Sequence, residues 1–497
     1  MITTKPIDIE DAHANILQNA FKKHLSNGIH VYAFGSRANW QAKRASDLDL
    51  AIDANDTLKR NIGNLEEELS LSDLPYKVDI VNLNSISDSF RKAIMPDLVP
   101  ILWDWREIKI SEIVEVIGGG TPKTSVTEYW NGDIPWLSVA DFNSGKKYVY
   151  NAEKHITTLA LNKSSTNILA KGDIIISARG TVGVVAMLAT TMTFNQSCYG
   201  IRANQKSFNG YIYYLLKDAV HHLQRISHGG VFNTITRDTF KEIKISLPPI
   251  SEQKAIASVL SSIDDKIDLL HRQNNTLESI AETIFRQWFI EEADDSWFHD
   301  ELRNYVTVID NRGKTPLYSE EETCYPLIEV NALGKKNRLV DYALIKKYVN
   351  KDIFDHCFRN KLTKYDTLLS TVGSIAAISM YVLDLGNIAQ NVIGLSAKGI
   401  SPFYLYQCLK HKIHEILLLD IGGVQPSIKV PHLLSLAIPI PPSNLQRVFE
   451  NQLIDFVSKM EINYQQIQTL ECLRNMLLPK LISGDIRVEY EEVWKCN

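Results

Sequence analysis

Two stretches of this chain repeat apolar residues at intervals of three and four for close to 40 residues each. In the first, Ile256, Val259, Leu260, Ile263, Ile267, Leu270, Leu277, Ile280, Ile284 and Trp288 follow Ser251 and Glu252. In the second, Val448, Phe449, Leu453, Phe456, Val457, Met460, Tyr464, Ile467, Leu470, Leu473 and Leu477 play the same part. Such spacing draws one apolar stripe along a helix, and neither run contains Gly or Pro before its last turns. A helix of that size reaches roughly 60 Å, more than one small domain needs. The pattern therefore predicts that the two stripes pair as an antiparallel coiled coil, rather than each folding back on its own neighbourhood.

The segments before the helices read differently. Short β-rich runs such as Asp173-Ile-Ile-Ile-Ser177 and Thr181-Val-Gly-Val-Val-Ala186 are separated by glycine turns and end at a Pro-Pro pair. Landmarks recur at one offset. Gly229-Gly-Val231 returns as Gly422-Gly-Val424, Leu169-Ala-Lys-Gly-Asp173 as Leu362-Thr-Lys-Tyr-Asp366, and Pro248-Pro249 as Pro441-Pro442, all 193 residues on. Thr121-Pro122 and Thr315-Pro316 match at 194. The chain thus holds two divergent copies of one unit, about 106–290 and 301–487.

Composition narrows the class. With 497 residues, 45% hydrophobic and 22% charged, the chain can bury several cores and is not disordered or fibrous. Its six cysteines are scattered, with no C-x-x-C pair, which argues against zinc and fits a reducing cytoplasm. The opening residues carry acids where a signal peptide needs an apolar core, and the longest uncharged run, Gly180 to Ile201, is rich in Thr, Asn and Ser, so no membrane span is expected. The net charge of −5 argues against nucleic acid until it is divided. Residues 106–250 hold 16 Lys+Arg against 11 Asp+Glu, and 301–443 hold 16 against 13, while 251–300 hold 4 against 11. A local basic face can attract phosphates on an acidic molecule, although imbalances this small are also ordinary surface statistics.

At this point the residues resemble a known family. Trp105-Arg-Glu-Ile-Lys-Ile-Ser-Glu-Ile113, Gly118-Gly-Gly-Thr-Pro122, Ile134-Pro-Trp-Leu137, Lys171-Gly-Asp-Ile-Ile-Ile-Ser177 and Leu247-Pro-Pro-Ile-Ser-Glu-Gln253 are similar to the DNA-specificity subunit of type I restriction–modification systems. Gly313-Lys-Thr-Pro316, Gly422-Gly-Val-Gln-Pro-Ser-Ile428 and Leu478-Pro-Lys-Leu-Ile-Ser-Gly-Asp-Ile486 fit as well. The resemblance implies two target-recognition domains that read the parts of a split, asymmetric site on double-stranded DNA. It also implies a helical ruler between them that docks two adenine methyltransferase subunits. S-adenosylmethionine would come with those subunits, and translocation and cleavage with restriction/translocase subunits, since this chain shows neither an Asn-Pro-Pro-Tyr motif nor a G-x-x-x-x-G-K-[ST] loop. Candidate DNA contacts are Gly120, Thr121 and Lys123, then Arg179 and Thr181, with Lys314 and Thr315 as counterparts in the second copy, because phosphate and base contacts need cations, hydroxyls and loop N–H groups.

The first 105 residues follow another pattern. An amphipathic helix near 9–25 precedes the apolar strand His30-Val-Tyr-Ala-Phe34 and Gly35-Ser36-Arg37-Ala38. Asp47-Leu-Asp-Leu50 follows, and Val78-Asp-Ile-Val81 comes 30 residues later. Asp47 and Asp49 leave one face of a strand, and Asp79 would join them from a neighbouring strand. Three converging acids make a hard-oxygen site suited to Mg²⁺ bridging a nucleoside triphosphate. The arrangement resembles the minimal nucleotidyltransferases of the polymerase-β type. The resemblance makes Asp47, Asp49 and Asp79 metal-binding and catalytic, and gives the triphosphate of ATP to Gly35 and Ser36. Asn39 stands where that family often has Gly, and Asn tolerates positive φ.

The expected fold is α+β, with a small α/β nucleotidyltransferase domain (1–105) followed by target-recognition domain 1 (106–250) and spacer helix 1 (251–295). Target-recognition domain 2 (296–443), spacer helix 2 (444–487) and a tail (488–497) complete it. The expected function is DNA recognition with an accessory nucleotidyltransferase. The alternative makes the enzyme the point of the molecule, transferring AMP to a protein or RNA partner, with the specificity part as an anchor.

Overall fold

The computed structural model describes residues 7–25, 29–43, 46–53, 59–101, 104–143, 145–226, 234–313, 316–334, 338–358, 360–423 and 425–488. The chain divides into two compact units, one of Met1–Asp265 with Cys472–Asn497 and one of Lys266–Glu471.

The first unit begins with a small α/β domain. Its helices are α1 (Asp11–His24), α2 (Gly35–Ala38), α3 (Lys59–Ser70) and α4 (Asp88–Ile94), and its strands are β1 (His30–Phe34), β2 (Leu48–Asp53), β3 (Val78–Asn82) and β4 (Val99–Ile101). The sheet runs in the order β3-β2-β1-β4, with β2 and β3 parallel. Leu17, Phe21, Val31, Leu48, Leu50, Ile52 and Leu65 form a separate core for this domain.

Burial drives the His30 imidazole, 4% exposed at the start of β1, down to about 4. The Arg487 guanidinium adds to the effect, and Asp104 and Asp53 oppose it. An unfolded chain accepts that proton near pH 6.5 while the folded chain refuses it. Stability that is complete above pH 6.5 is therefore lost as pH falls towards 4, by up to about 3 kcal/mol. His30→Phe should flatten the fall in melting temperature across that window relative to wild type. An unaltered pH profile would count against this account.

The same unit continues with a five-stranded sheet in the order Val114–Gly118, Cys198–Ala203, Ile174–Ser177, Val185–Leu188, Tyr148–Val149. A four-stranded sheet (Ile168–Leu169, Met192–Phe194, Trp130–Leu137, Lys154–Ile156) lies beside it in sequence. The second unit carries the matching sheet, Val306–Asp310, Val392–Ala397, Thr367–Ser370 and Ile378–Met380.

The duplication is visible atom by atom. Ser177 Oγ donates to the Thr181 carbonyl and accepts from Val184 N–H, as Ser370 Oγ does with Ser374 and Ala377. Asp173 accepts from Ala170 N–H, as Asp366 does from Thr363 N–H. Gln253 braces Phe208 N–H and the Pro248 carbonyl, as Gln446 braces Ser401 N–H and the Pro441 carbonyl.

The long helices are Ile250–Arg286 and Ser443–Ser483. They pair within each unit. In the first, Ile256, Ala257 and Leu260 share a core with Leu477, Leu478 and Leu481, and Arg474 Nη1 donates to Asp264 at 2.8 Å. In the second, Ala281 and Phe285 pack with Phe449, Leu453, Val457 and Met460, and Asn463 donates to Asn274 at 2.8 Å, both fully buried. As positions on one helix rise, their partners fall, so the helices run antiparallel, as the apolar stripes require. No helix among the described residues is long and apolar enough to cross a membrane.

Candidate functional site

In the N-terminal domain the buried aliphatics Leu48, Leu50 and Ile52 anchor β2 and leave Asp49 on the other face with Ala51. Asp49 sits directly opposite Asp79 of β3, and Asp47 stands exposed one residue before β2. Gly35, at the turn from β1 into α2, has φ +73°, and a Cβ there would come within 2.5 Å of Asp49 Oδ2. Only glycine satisfies both the backbone and the carboxylate. Buried Arg37 fixes the approach to Asp47, because its Nε donates to the Ser46 carbonyl and its Nη1 to the Asp8 carbonyl, both at 2.9 Å. Its guanidinium lies 3.7 Å from the centre of the Tyr76 ring.

Burial raises the Asp49 carboxyl above its ordinary value, and the neighbouring charges of Asp79 and Asp47 raise it further. Lys77, 2.5 Å from Asp79, offsets this in part. The acids thus form a locus of negative potential. Among the described residues no group of three or more His, Cys, Asp or Glu closes into a ready metal cage. The donor set still fits a hard cation that draws its remaining ligands from a nucleotide's phosphates. One expectation changes: Asn39 has φ −91°, and the left-handed residue is its neighbour Trp40, at φ 57° and 57% exposed. The turn places its strain one residue later than the motif implied.

The DNA candidates of the first copy are brought to one end of the five-stranded sheet. The Ala178 N–H donates to Ser197, and Thr121 Oγ1 donates to the Gln196 side chain, so three loops lie side by side there. Lys123, Arg179 and Thr181 are exposed. Gly120 is buried, its N–H donates to the Phe194 carbonyl at 3.0 Å, and a Cβ would lie 2.4 Å from Ser165. Lys314 and Thr315 lie outside the described residues, as does the first copy's 229–233 loop.

Beside Pro316 the second copy has a cleft of about 510 Å³ into which Tyr318, Asn331, Lys347, Gln390 and Asn391 face. Lys347 pairs with Glu329 at 2.7 Å and lies 4.7 Å from the Tyr318 ring. Gln196 and Gln390 are equivalent, 194 residues apart, and no motif singles them out. The repeat offset carried to the turn before each central strand would have found them. Arg237 escapes the motifs too: its Nη2 would stand 3.3 Å from a Cβ on Gly118.

Residues 103–279 and 303–472 match the family model described as type I restriction modification DNA specificity domain. The chain belongs to that family. The specificity subunit is 30% identical over 420 residues to the type I restriction enzyme MjaIX specificity subunit of Methanocaldococcus jannaschii, spanning 79% of this chain and 96% of that protein. It also aligns with a crystal structure of the S subunit from M. genitalium at 18% identity and a TM-score of 0.48, over 76% and 96% of the two chains. Residues 15–102 of the specificity subunit match the polymerase beta nucleotidyltransferase model. That part is 37% identical over 97 residues to a probable protein adenylyltransferase MntA of Haemophilus influenzae, covering 19% of this chain and 82% of that protein. The subunit therefore carries a nucleotidyltransferase domain in front of its DNA-specificity domains.

Proposed function

We propose that this specificity subunit reads a split, asymmetric site on double-stranded DNA and docks two methyltransferase subunits, which bring S-adenosylmethionine. Restriction and translocase subunits would complete the complex. One observation carries the asymmetry. The two copies share the bracing contacts of their central sheets, yet the first presents a Thr121–Gln196 contact where the second opens a cleft with Tyr318, Asn331 and Asn391 around Gln390. Unlike side chains on like scaffolds read unlike base edges. A map of methylated adenines in cells carrying the subunit with its methyltransferase tests this. A bipartite, non-palindromic motif supports it, and a palindromic or contiguous motif removes it.

Within that reading Lys123 and Arg179 meet phosphates. The double variant Lys123→Ala/Arg179→Ala should weaken binding to all sequences alike and cut the slope of log K against log salt by about 0.9 for each phosphate no longer neutralised. A change in the methylated motif instead would make them base readers.

A second reading concerns the N-terminal domain, which would transfer AMP from ATP to a hydroxyl of a protein or RNA partner. The acceptor oxygen displaces pyrophosphate at the α-phosphorus and its proton passes to a carboxylate. The register of Asp49 with Asp79, and the glycine fitted against Asp49, favour it. Asp47, Asp49 and Asp79 would hold Mg²⁺, which when bound supplies positive charge against the triphosphate oxygens. Labelled ATP with Mg²⁺ and purified partners should tag one of them. Equal tagging by Asp47→Ala/Asp49→Ala would remove this activity.

A further inference from the structure

The copies differ at one place in a way that opens a cleft of about 500 Å³ in the first. Its floor is the face of the first long helix carrying Lys254, Ala257 and Ser258, and Tyr148, Met187 and Phe208 form its walls. Gly172 and Gly210 leave it open. At the equivalent positions, 193 residues on, the second copy has Tyr365 and Phe403, whose rings pack 4.9 Å apart. The backbones agree, with φ +87° at Gly172 and +74° at Tyr365. The second copy thus holds a tyrosine in the left-handed region, a strained conformation, to fill the space that the first leaves empty. The opening is a property of the first copy and not a demand of the fold.

Its charge differs as well. Lys147 is almost wholly buried, with its ammonium 4.8 Å from the Tyr148 ring and 5.7 Å from that of Tyr214, while its ion pair with exposed Asp265 is long at 3.7 Å. The second copy's counterpart is fully buried Arg338, whose carbonyl accepts from Met380 N–H as that of Lys147 does from Met187 N–H, and its charge is answered by Glu278 at 2.6 Å. Lys254, exposed at the rim, has no ion pair among the described residues. Apolar walls that accept a ring, beside two under-neutralised ammonium groups, describe a receptor for an aromatic side chain next to a carboxylate. The floor continues the spacer-helix face on which a methyltransferase subunit docks in the proposed function, and the inference rests on that reading.

We propose that the cleft receives an aromatic residue flanked by an acid from one methyltransferase subunit, and that the second copy, closed by Tyr365 and Phe403, holds its methyltransferase without this anchor. The full chain titrated with its purified methyltransferase, followed by native mass spectrometry, tests this. Wild type should bind two subunits, one more tightly. Lys254→Glu should weaken the tighter site about tenfold, while Arg447→Glu, the equivalent exposed position in the second copy, leaves both unchanged. Gly172→Tyr/Gly210→Phe, which imports the second copy's rings, should still fold, at a melting temperature lowered by the left-handed backbone at 172 and by crowding of Phe208 and Ala257 at 210, and lose the same anchor. If that variant and Lys254→Glu both keep the tight site within twofold, or if Arg447→Glu weakens it equally, the inference fails. Wild type binding no methyltransferase would instead overturn the function on which it depends.

Discussion

Arg487→Leu should destabilise the first unit by about 3–5 kcal/mol, the usual cost of stripping the partner from a buried charge. Arg487, Asp104 and Glu252 have side chains no more than 1% exposed. Arg487 Nε donates to Glu252 at 2.5 Å, and its Nη2 reaches Glu252 at 2.7 Å and both Asp104 oxygens at 3.0 Å. Burial pushes the Glu252 carboxyl up and the Asp104 charge adds to it, while Arg487 and the Trp105 indole N–H, 2.9 Å away, offset only part of that. Without the guanidinium two carboxylates remain in a dry site. For a unit of this size the melting temperature should fall by roughly 6–20 °C. Adding Asp104→Asn and Glu252→Gln should recover most of the loss, since no ion then remains unpaired. A fall below about 1 kcal/mol for Arg487→Leu would show that the triad is not the clasp described.

Asp49→Asn should act oppositely on stability and activity. Nucleotidyl transfer should drop on the order of 10²–10³-fold, the scale for deleting one group that stabilises transition-state charge. The domain should not lose stability at neutral pH. An acid whose folded pKa is raised opposes folding once ionised, and the opposition fades as pH falls through the folded value. Asparagine removes the charge and keeps the shape. Transfer assays with labelled ATP and thermal melts at pH 7 measure the two effects. Loss of activity together with loss of stability would mean that Asp49 is a structural residue, and full activity would place the chemistry elsewhere.

Much of this was legible in the sequence because it rests on periodicity and local chemistry. The helical stripes declare their own length, and their pairing follows from the apolar surface they must hide. The facing of Asp49 and Asp79 was legible because aliphatic neighbours fix which way an acid on a strand points. What stayed hidden depends on tertiary neighbours. Gly120, a candidate DNA contact in the sequence, is pressed against Ser165, a neighbour no local pattern announces. The left-handed residue of the N-terminal turn is Trp40, which no propensity would choose. The clasp joins residues 104, 252 and 487, a separation across which no local pattern reports.

The buried polar contacts between the long helices are lopsided. Carried through the repeat, the position paired with Asn274 in a dimer of first copies would be Leu270, and the position paired with Asp264 would be Ala281, rather than Asn463 and Arg474. Two identical halves would each lose the amide that answers Asn274 and the guanidinium that answers Asp264, leaving that carboxylate only the Tyr214 hydroxyl. If the chain were cut between its copies, the fragments should prefer each other to themselves. A half borrowed from a relative would be accepted only if it brought the matching key.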